Sequence, residues 1–116
     1  MDDSKRQAED HYYAALDLYG EGKHDEAVAE YEKCLALDPR HSEALHGLAR
    51  AYQDANRLDE SIEISKRLVE LDPDDILAHT SLSIAYQKKG MIPEAEAAAN
   101  QARILGWKQQ LRGAKK

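Results

Sequence analysis

Asp25-Glu26-Ala27-Val28-Ala29-Glu30-Tyr31-Glu32-Lys33-Cys34-Leu35-Ala36-Leu37-Asp38-Pro39 spaces its apolar side chains as one face of a helix and closes on Leu-Asp-Pro. A residue before proline is pushed out of the α region, so the stretch predicts a helix over about 25–37 with a built-in stop. The pattern returns. Asp59-Glu60-Ser61-Ile62 through Leu68-Val69-Glu70-Leu71-Asp72-Pro73 keeps the same register, with Pro39 and Pro73 standing 34 residues apart. One further step of that length places Glu94-Ala95-Glu96 under Glu26-Ala27-Val28 and Ile104-Leu105 under Ala36-Leu37. There the echo fades, because Gly106-Trp107 stands where Asp-Pro stood.

A second helical pattern precedes each of these. The first, about Ser4 to Gly20, carries Tyr12, Ala15, Leu16, Leu18 and Tyr19, with Asp2, Asp3 and Ser4 suiting its N-terminal end. The next, about Glu43 to Ala55, bears Leu45, Leu48, Ala49 and Tyr52, and Ser42 is its expected cap. The last, about Ile76 to Lys89, bears Leu82, Ile84, Ala85 and Tyr86, and Asp74 or Asp75 offers the cap. Gly22, Asn56 and Gly90 follow them at the 34-residue period, all residue types that tolerate a left-handed turn. The sixth helix is expected from near Pro93 to about Leu105, broken at Gly106. The expectation is three helical hairpins in residues 1–107 (about 8–41, 42–75 and 76–107) and a basic tail, 108–116, either a short capping helix or poorly ordered.

Small residues recur where paired helices must cross: Ala15, Ala49 and Ser83 on the first helix of each hairpin, and Ala27, Ser61 and Ala95 on the second. Larger ones, Leu48 and Leu82 after Ala14, then Leu18, Tyr52 and Tyr86, are placed to fill the space between hairpins. In the sixth helix, two positions whose earlier counterparts are apolar become charged: Val28 and Ile62 give way to Glu96, and Leu35 and Val69 to Arg103. Charge is costly inside a further stack, so the array is expected to end here.

Composition narrows the function. At 116 residues, 42% hydrophobic and 33% charged, the chain is expected to be one soluble unit, too short for a large catalytic domain. No apolar run approaches the roughly 18 residues of a membrane span, and the N-terminus lacks the apolar core of a secretion signal, so a cytoplasmic location is expected. A lone cysteine, Cys34, fits a reducing compartment and reads as a buried small hydrophobe. The formal charge of −6 is uneven: Lys108, Arg112, Lys115 and Lys116 give the last nine residues +4, leaving −10 for the rest. An acidic body repels phosphate backbones, which argues against nucleic acid as the main partner.

Aligned on its period, the chain resembles the tetratricopeptide-repeat family over roughly residues 8 to 107, as three tandem repeats. The marks are Ala15, Ala27 and Pro39 in the first, Leu48, Ala49, Tyr52 and Pro73 in the second, and Leu82, Tyr86, Gly90 and Ala95 in the third. Ser61 and Ser83 stand for Ala, and Trp107 for the final Pro. The resemblance implies an all-α, right-handed superhelix without catalytic residues or cofactor, whose first helices line a concave groove that receives a segment of another protein. Carried over position by position, that groove is lined by Glu9, Tyr12, Tyr13, Leu16 and Tyr19, then Glu43, His46, Gly47, Arg50, Gln53 and Asp54. Leu77, Thr80, Ser81, Ile84, Gln87 and Lys88 complete it. The branch of the family that binds chaperone tails holds the terminal carboxylate with Lys, Asn, Asn, Lys and Arg. Here those places are Tyr12, Leu16, Gly47, Leu77 and Ser81, so such a clamp is not expected. The groove reads instead as apolar at both ends around Arg50, unless Arg50 simply pairs with Asp54 one turn on and the tyrosines only cover core.

Three rival readings are weighed against this. A metal site built on His46, His79 and Glu43 lacks close ligand spacing, and His11, His24 and His41 are scattered. An enzyme lacks any phosphate loop or nucleophile elbow. Self-association through the terminal hairpin would use Trp107 and Leu111 as anchors, against the alternative in which Trp107 folds back as a lid over that hairpin.

Overall fold

The computed structural model describes residues 3–114 as six helices: α1 (Asp3–Gly20), α2 (His24–Leu37), α3 (Ser42–Asp54), α4 (Leu58–Leu71), α5 (Ile76–Lys88) and α6 (Ile92–Ala114). No strand occurs among the described residues. Met1, Asp2, Lys115 and Lys116 lie outside them, and with them Asp2 as a helix-end acid and the last two charges of the tail.

Identical turns make the hairpins. Gly22, Asn56 and Gly90 have φ of 78°, 60° and 83°, the left-handed region. Each is followed by an N–H that reaches back five residues, Lys23 to the Leu18 carbonyl, Arg57 to Tyr52 and Met91 to Tyr86, at 2.8–2.9 Å. These pairings satisfy carbonyls that the helix end would otherwise leave without partners. Asp38 and Asp72, held extended by the prolines after them, close α2 and α4.

Two boundaries differ from expectation. The cap of α3 is His41, whose Nδ1 accepts the Ala44 N–H at 3.0 Å, and Ser42 is the first residue of the helix. The sixth helix does not break at Gly106 but runs on to Ala114. Glycine inside a helix costs only about 1 kcal/mol relative to alanine, whereas proline costs about 3, and the third hairpin has Trp107 where the others have proline. Residues 107–114 are therefore helical, and Trp107 is 65% exposed instead of lying back as a lid.

At the crossings the small residues do what their size allows. Ala15, Ala27, Ala49 and Ser61 are fully buried. The two serines play the same part within successive hairpins: Ser61 of α4 donates its hydroxyl to the Ala49 carbonyl of α3 at 2.9 Å, and Ser83 of α5 donates to the Ala95 carbonyl of α6 at 2.8 Å. Either partner of the crossing can carry the hydroxyl because each leaves a carbonyl within reach. The principal core spans the first two hairpins, with Val28, Tyr31, Cys34, Leu45, Leu48, Tyr52 and Leu68, and reaches Ala78 of α5. A smaller cluster of Ile62, Ala85, Tyr86 and Ala95, flanked by Leu82 and Met91, serves the third hairpin. Burial pushes the Cys34 thiol up to about 11, with Asp38 and Glu9 adding to it, so the cysteine is inert.

Tyr31 joins the first two hairpins. Its ring is buried and lies against Gly47 of α3, where a β-carbon would stand 2.5 Å from the phenol carbon. A mid-helix glycine, otherwise a loss, is required there.

Candidate functional site

The first helices of the hairpins, α1, α3 and α5, touch in sequence and form the concave side, while α2 and α4 pack behind them. Polar rungs tie each first helix to the next. Glu9 of α1 meets His41, the cap of α3, with Oε1 2.5 Å from Nε2. His46 of α3 meets Asp75, the cap of α5, with Nε2 2.7 Å from Oδ2. A carboxylate only accepts, so Nε2 carries the proton in both rings. Toward the other end, the Tyr19 hydroxyl donates to Asp54, and Gln53 donates its Nε2 to the Ser81 carbonyl at 3.2 Å. Tyr19 and Gln53 occupy equivalent positions 34 residues apart, so one place in the repeat serves as the connector twice with different chemistry.

These rungs sort the expected groove residues. Tyr12 packs on the core, with ring centroids 5.0 Å from His41, 6.3 Å from Tyr31 and 5.4 Å from Tyr13. Burial raises its pKa above the ordinary tyrosine value, and Glu43 adds to the rise. Tyr19 is raised likewise, by burial first and then by its bond to Asp54. Gly47 lies under the Tyr31 ring, and the Thr80 hydroxyl donates to the Ile76 carbonyl of its own helix. Gln87 lines a separate recess with Ser83, Ile92, Ala95, Glu96 and Ala99. It is the counterpart of Gln53 in the third hairpin.

What remains exposed on this side is an apolar and charged surface. Tyr13 and Leu77 are more than half exposed, and Leu16 and Ile84 are exposed as well. Between α3 and α5 a cleft of about 260 Å³ is lined by Arg50, Gln53, Asp54, Leu77, Thr80, Ser81, Ile84 and Lys88. Arg50 does pair with Asp54, but loosely, Nε to Oδ2 at 3.7 Å, and its side chain stays 69% exposed, so the guanidinium still addresses the cleft. Sequence spacing found this helix face but missed Glu9 and His41 as connectors and Tyr31 as the floor beneath Gly47. The glycine in the middle of α3 was the available signal.

The histidines considered for a metal have other engagements. His79 is buried with Nε2 2.9 Å from the Pro73 carbonyl, and His46 is held by Asp75. No group of three or more His, Cys, Asp or Glu placed to share an ion occurs among the described residues. No helix among them is long and apolar enough to cross a membrane.

A family model described as tetratricopeptide repeat matches residues 18–83, more than half of the chain. The chain belongs to the tetratricopeptide-repeat family. Its six helices form the right-handed α-solenoid of that family as three repeats. The solved structure of MamA superposes with a TM-score of 0.86 at 22% identity, covering 92% of this chain and 62% of that one. The second tetratricopeptide repeat domain of Spaghetti (RPAP3), solved bound to the HSP90 peptide SRMEEVD, gives a TM-score of 0.81 at 22% identity, covering 87% and 94%. At that identity the likeness is one of fold. Among curated proteins, a pentatricopeptide repeat-containing protein of Arabidopsis thaliana is 29% identical over 87 residues, covering 73% of this chain. The chain spans only 11% of the length of that relative.

Proposed function

We propose that this tetratricopeptide-repeat chain is a non-catalytic interaction module whose concave cleft binds a segment of another protein, extended or helical, by apolar anchors and an acidic group. The observation that carries the reading is Leu77, 57% exposed beside Ile84 in a cleft bordered by Arg50 and Lys88. Exposed aliphatic side chains next to an arginine are the chemistry of interface anchors. The fold supports a protein–protein interaction module, and Spaghetti was solved with a peptide bound. The five positions that would clamp a terminal carboxylate hold no cation, so the segment is recognised by its side chains and not by its end. A cytoplasmic setting fits the single, buried, unpaired cysteine.

The test starts from a partner captured with the native chain and narrowed to a synthetic peptide. Arg50→Glu and Leu77→Ser each replace a side chain that faces solvent, so the circular dichroism of the protein should not change. Each is expected to weaken peptide binding about tenfold, as removal of an interface anchor does. Affinity unaltered by both substitutions would show that another surface is used.

A further inference from the structure

The outward face of α6 reads Ile92, Glu96, Ala99, Arg103, Trp107, spaced by three or four residues. Ile92, Glu96, Arg103 and Trp107 are exposed and Ala99 is half-buried. In the earlier hairpins the middle of this face is covered by the next pair of helices: Val28, Tyr31 and Leu35 are buried in the first, Ile62 and Ser65 in the second, whereas Pro39 and Pro73, at the place of Trp107, are exposed. Among the described residues nothing covers the corresponding face of α6.

The order of side chains on that face is apolar, acid, small, base, apolar. It is apolar at both ends and opposite in charge on the two sides of its middle, between Ala99 and Asn100. Two such helices side by side and parallel would set like charge against like. Antiparallel, about a two-fold axis between Ala99 and Asn100, each Glu96 faces the Arg103 of the second copy and each Ile92 faces its Trp107. Glu96 has no ion pair among the described residues, and Arg103 is held only by a neighbour, donating to Asn100 Oδ1 at 2.8 Å. The small side chain of Ala99 lets the helices approach where they cross. The relief of the surface fits the same register: the recess of about 200 Å³ that Ile92, Glu96 and Ala99 form with Ala95 and with Ser83 and Gln87 of α5 lies where the indole of the second copy would arrive.

We propose that two copies of the chain pair through α6 in this antiparallel register. The interface is isologous, so every favourable contact occurs twice and the assembly closes as a dimer. It is also small. One helix face and a shallow recess fall short of the roughly 800 Å² per partner of a standard interface, so the dimer should form in the micromolar range and weaken with salt. Leu111 lies one turn beyond the paired stretch and is not needed for it. The cleft between α3 and α5 stays open in the dimer, so this proposal does not depend on the peptide reading.

Sedimentation equilibrium of the full chain tests it. The native protein is expected to dimerise with rising concentration. Glu96→Arg, which sets arginine against arginine at both ends of the crossing, should raise the dissociation constant at least about tenfold, and Arg103→Glu should do the same. The double variant Glu96→Arg with Arg103→Glu should return to within about threefold of the native value. A native chain monomeric up to millimolar concentration would overturn the proposal, as would a folded double variant that stays monomeric. So would a dimer indifferent to both single reversals but lost in Leu77→Ser, which would place the second copy in the concave cleft.

Discussion

Tyr31→Ala is expected to lower the stability of the fold by about 3–5 kcal/mol, the range for truncating a large buried aromatic side chain. Domains of this size are stable by only about 5–15 kcal/mol, so the variant would be marginal. The ring is 1% exposed, and burial raises its phenol to about 12, with Tyr12 and Tyr19 as lesser causes. Its removal opens a void between α2 and α3 at the joint of two hairpins. Gly47 makes the experiment selective. In the native background Gly47→Ala pushes a β-carbon into the ring and should destabilise, although alanine is the better helix former by about 1 kcal/mol. In the Tyr31→Ala background the same substitution should stabilise. Urea unfolding of the four proteins measures the difference, and an equal effect of Gly47→Ala in both backgrounds would mean that something other than the ring demands glycine.

Ala49→Leu is expected to cost about 1–3 kcal/mol by overpacking the crossing of α3 with α4. Ala49 and Ser61 are both fully buried. A leucine there also forces the helices apart, lengthening the bond from the Ser61 hydroxyl to the Ala49 carbonyl, a bond worth about 1 kcal/mol when made and more when one buried group is left unsatisfied. Ser61→Ala, which restores the all-alanine crossing of the first hairpin, should cost no more than the bond itself, about 1 kcal/mol. Thermal melting of the two variants gives the comparison, and an unmoved midpoint for Ala49→Leu would take that residue out of the crossing.

The fold was legible because its punctuation is made by residues with strong backbone preferences. Pro39, Pro73, Gly22, Asn56 and Gly90 recur at one period, and each does in the structure what its covalent geometry dictates. Weaker signals misled. Ser42 has the right type for a helix cap, yet His41 takes the place because a ring nitrogen can accept an N–H while the other nitrogen holds Glu9. Gly106 has the residue type of a stop, but a helix tolerates one glycine when no proline follows. The site was legible as a helix face and no further. Spacing places Tyr12, Tyr19, His46 and Gln53 on the concave side, but it cannot say that each reaches a group in the next hairpin or packs on the core. That distinction separates connectors from the free surface of Leu77, Ile84 and Arg50, and it depends on contacts between residues about 30 apart in sequence.

The division of the interior into a large cluster under the first two hairpins and a small one under the third bears on what occupancy of the cleft would do. The last hairpin has less to lose on coming away, so brief local openings should begin there and leave the remainder folded. The cleft straddles that seam, with Arg50 and Asp54 on one side and Leu77 and Ile84 on the other. A bound peptide would bridge the two parts and hold the seam shut. Amide hydrogen exchange in α5 and α6 should then slow on binding more than in α1 and α2, and the energy of closing would be subtracted from the affinity.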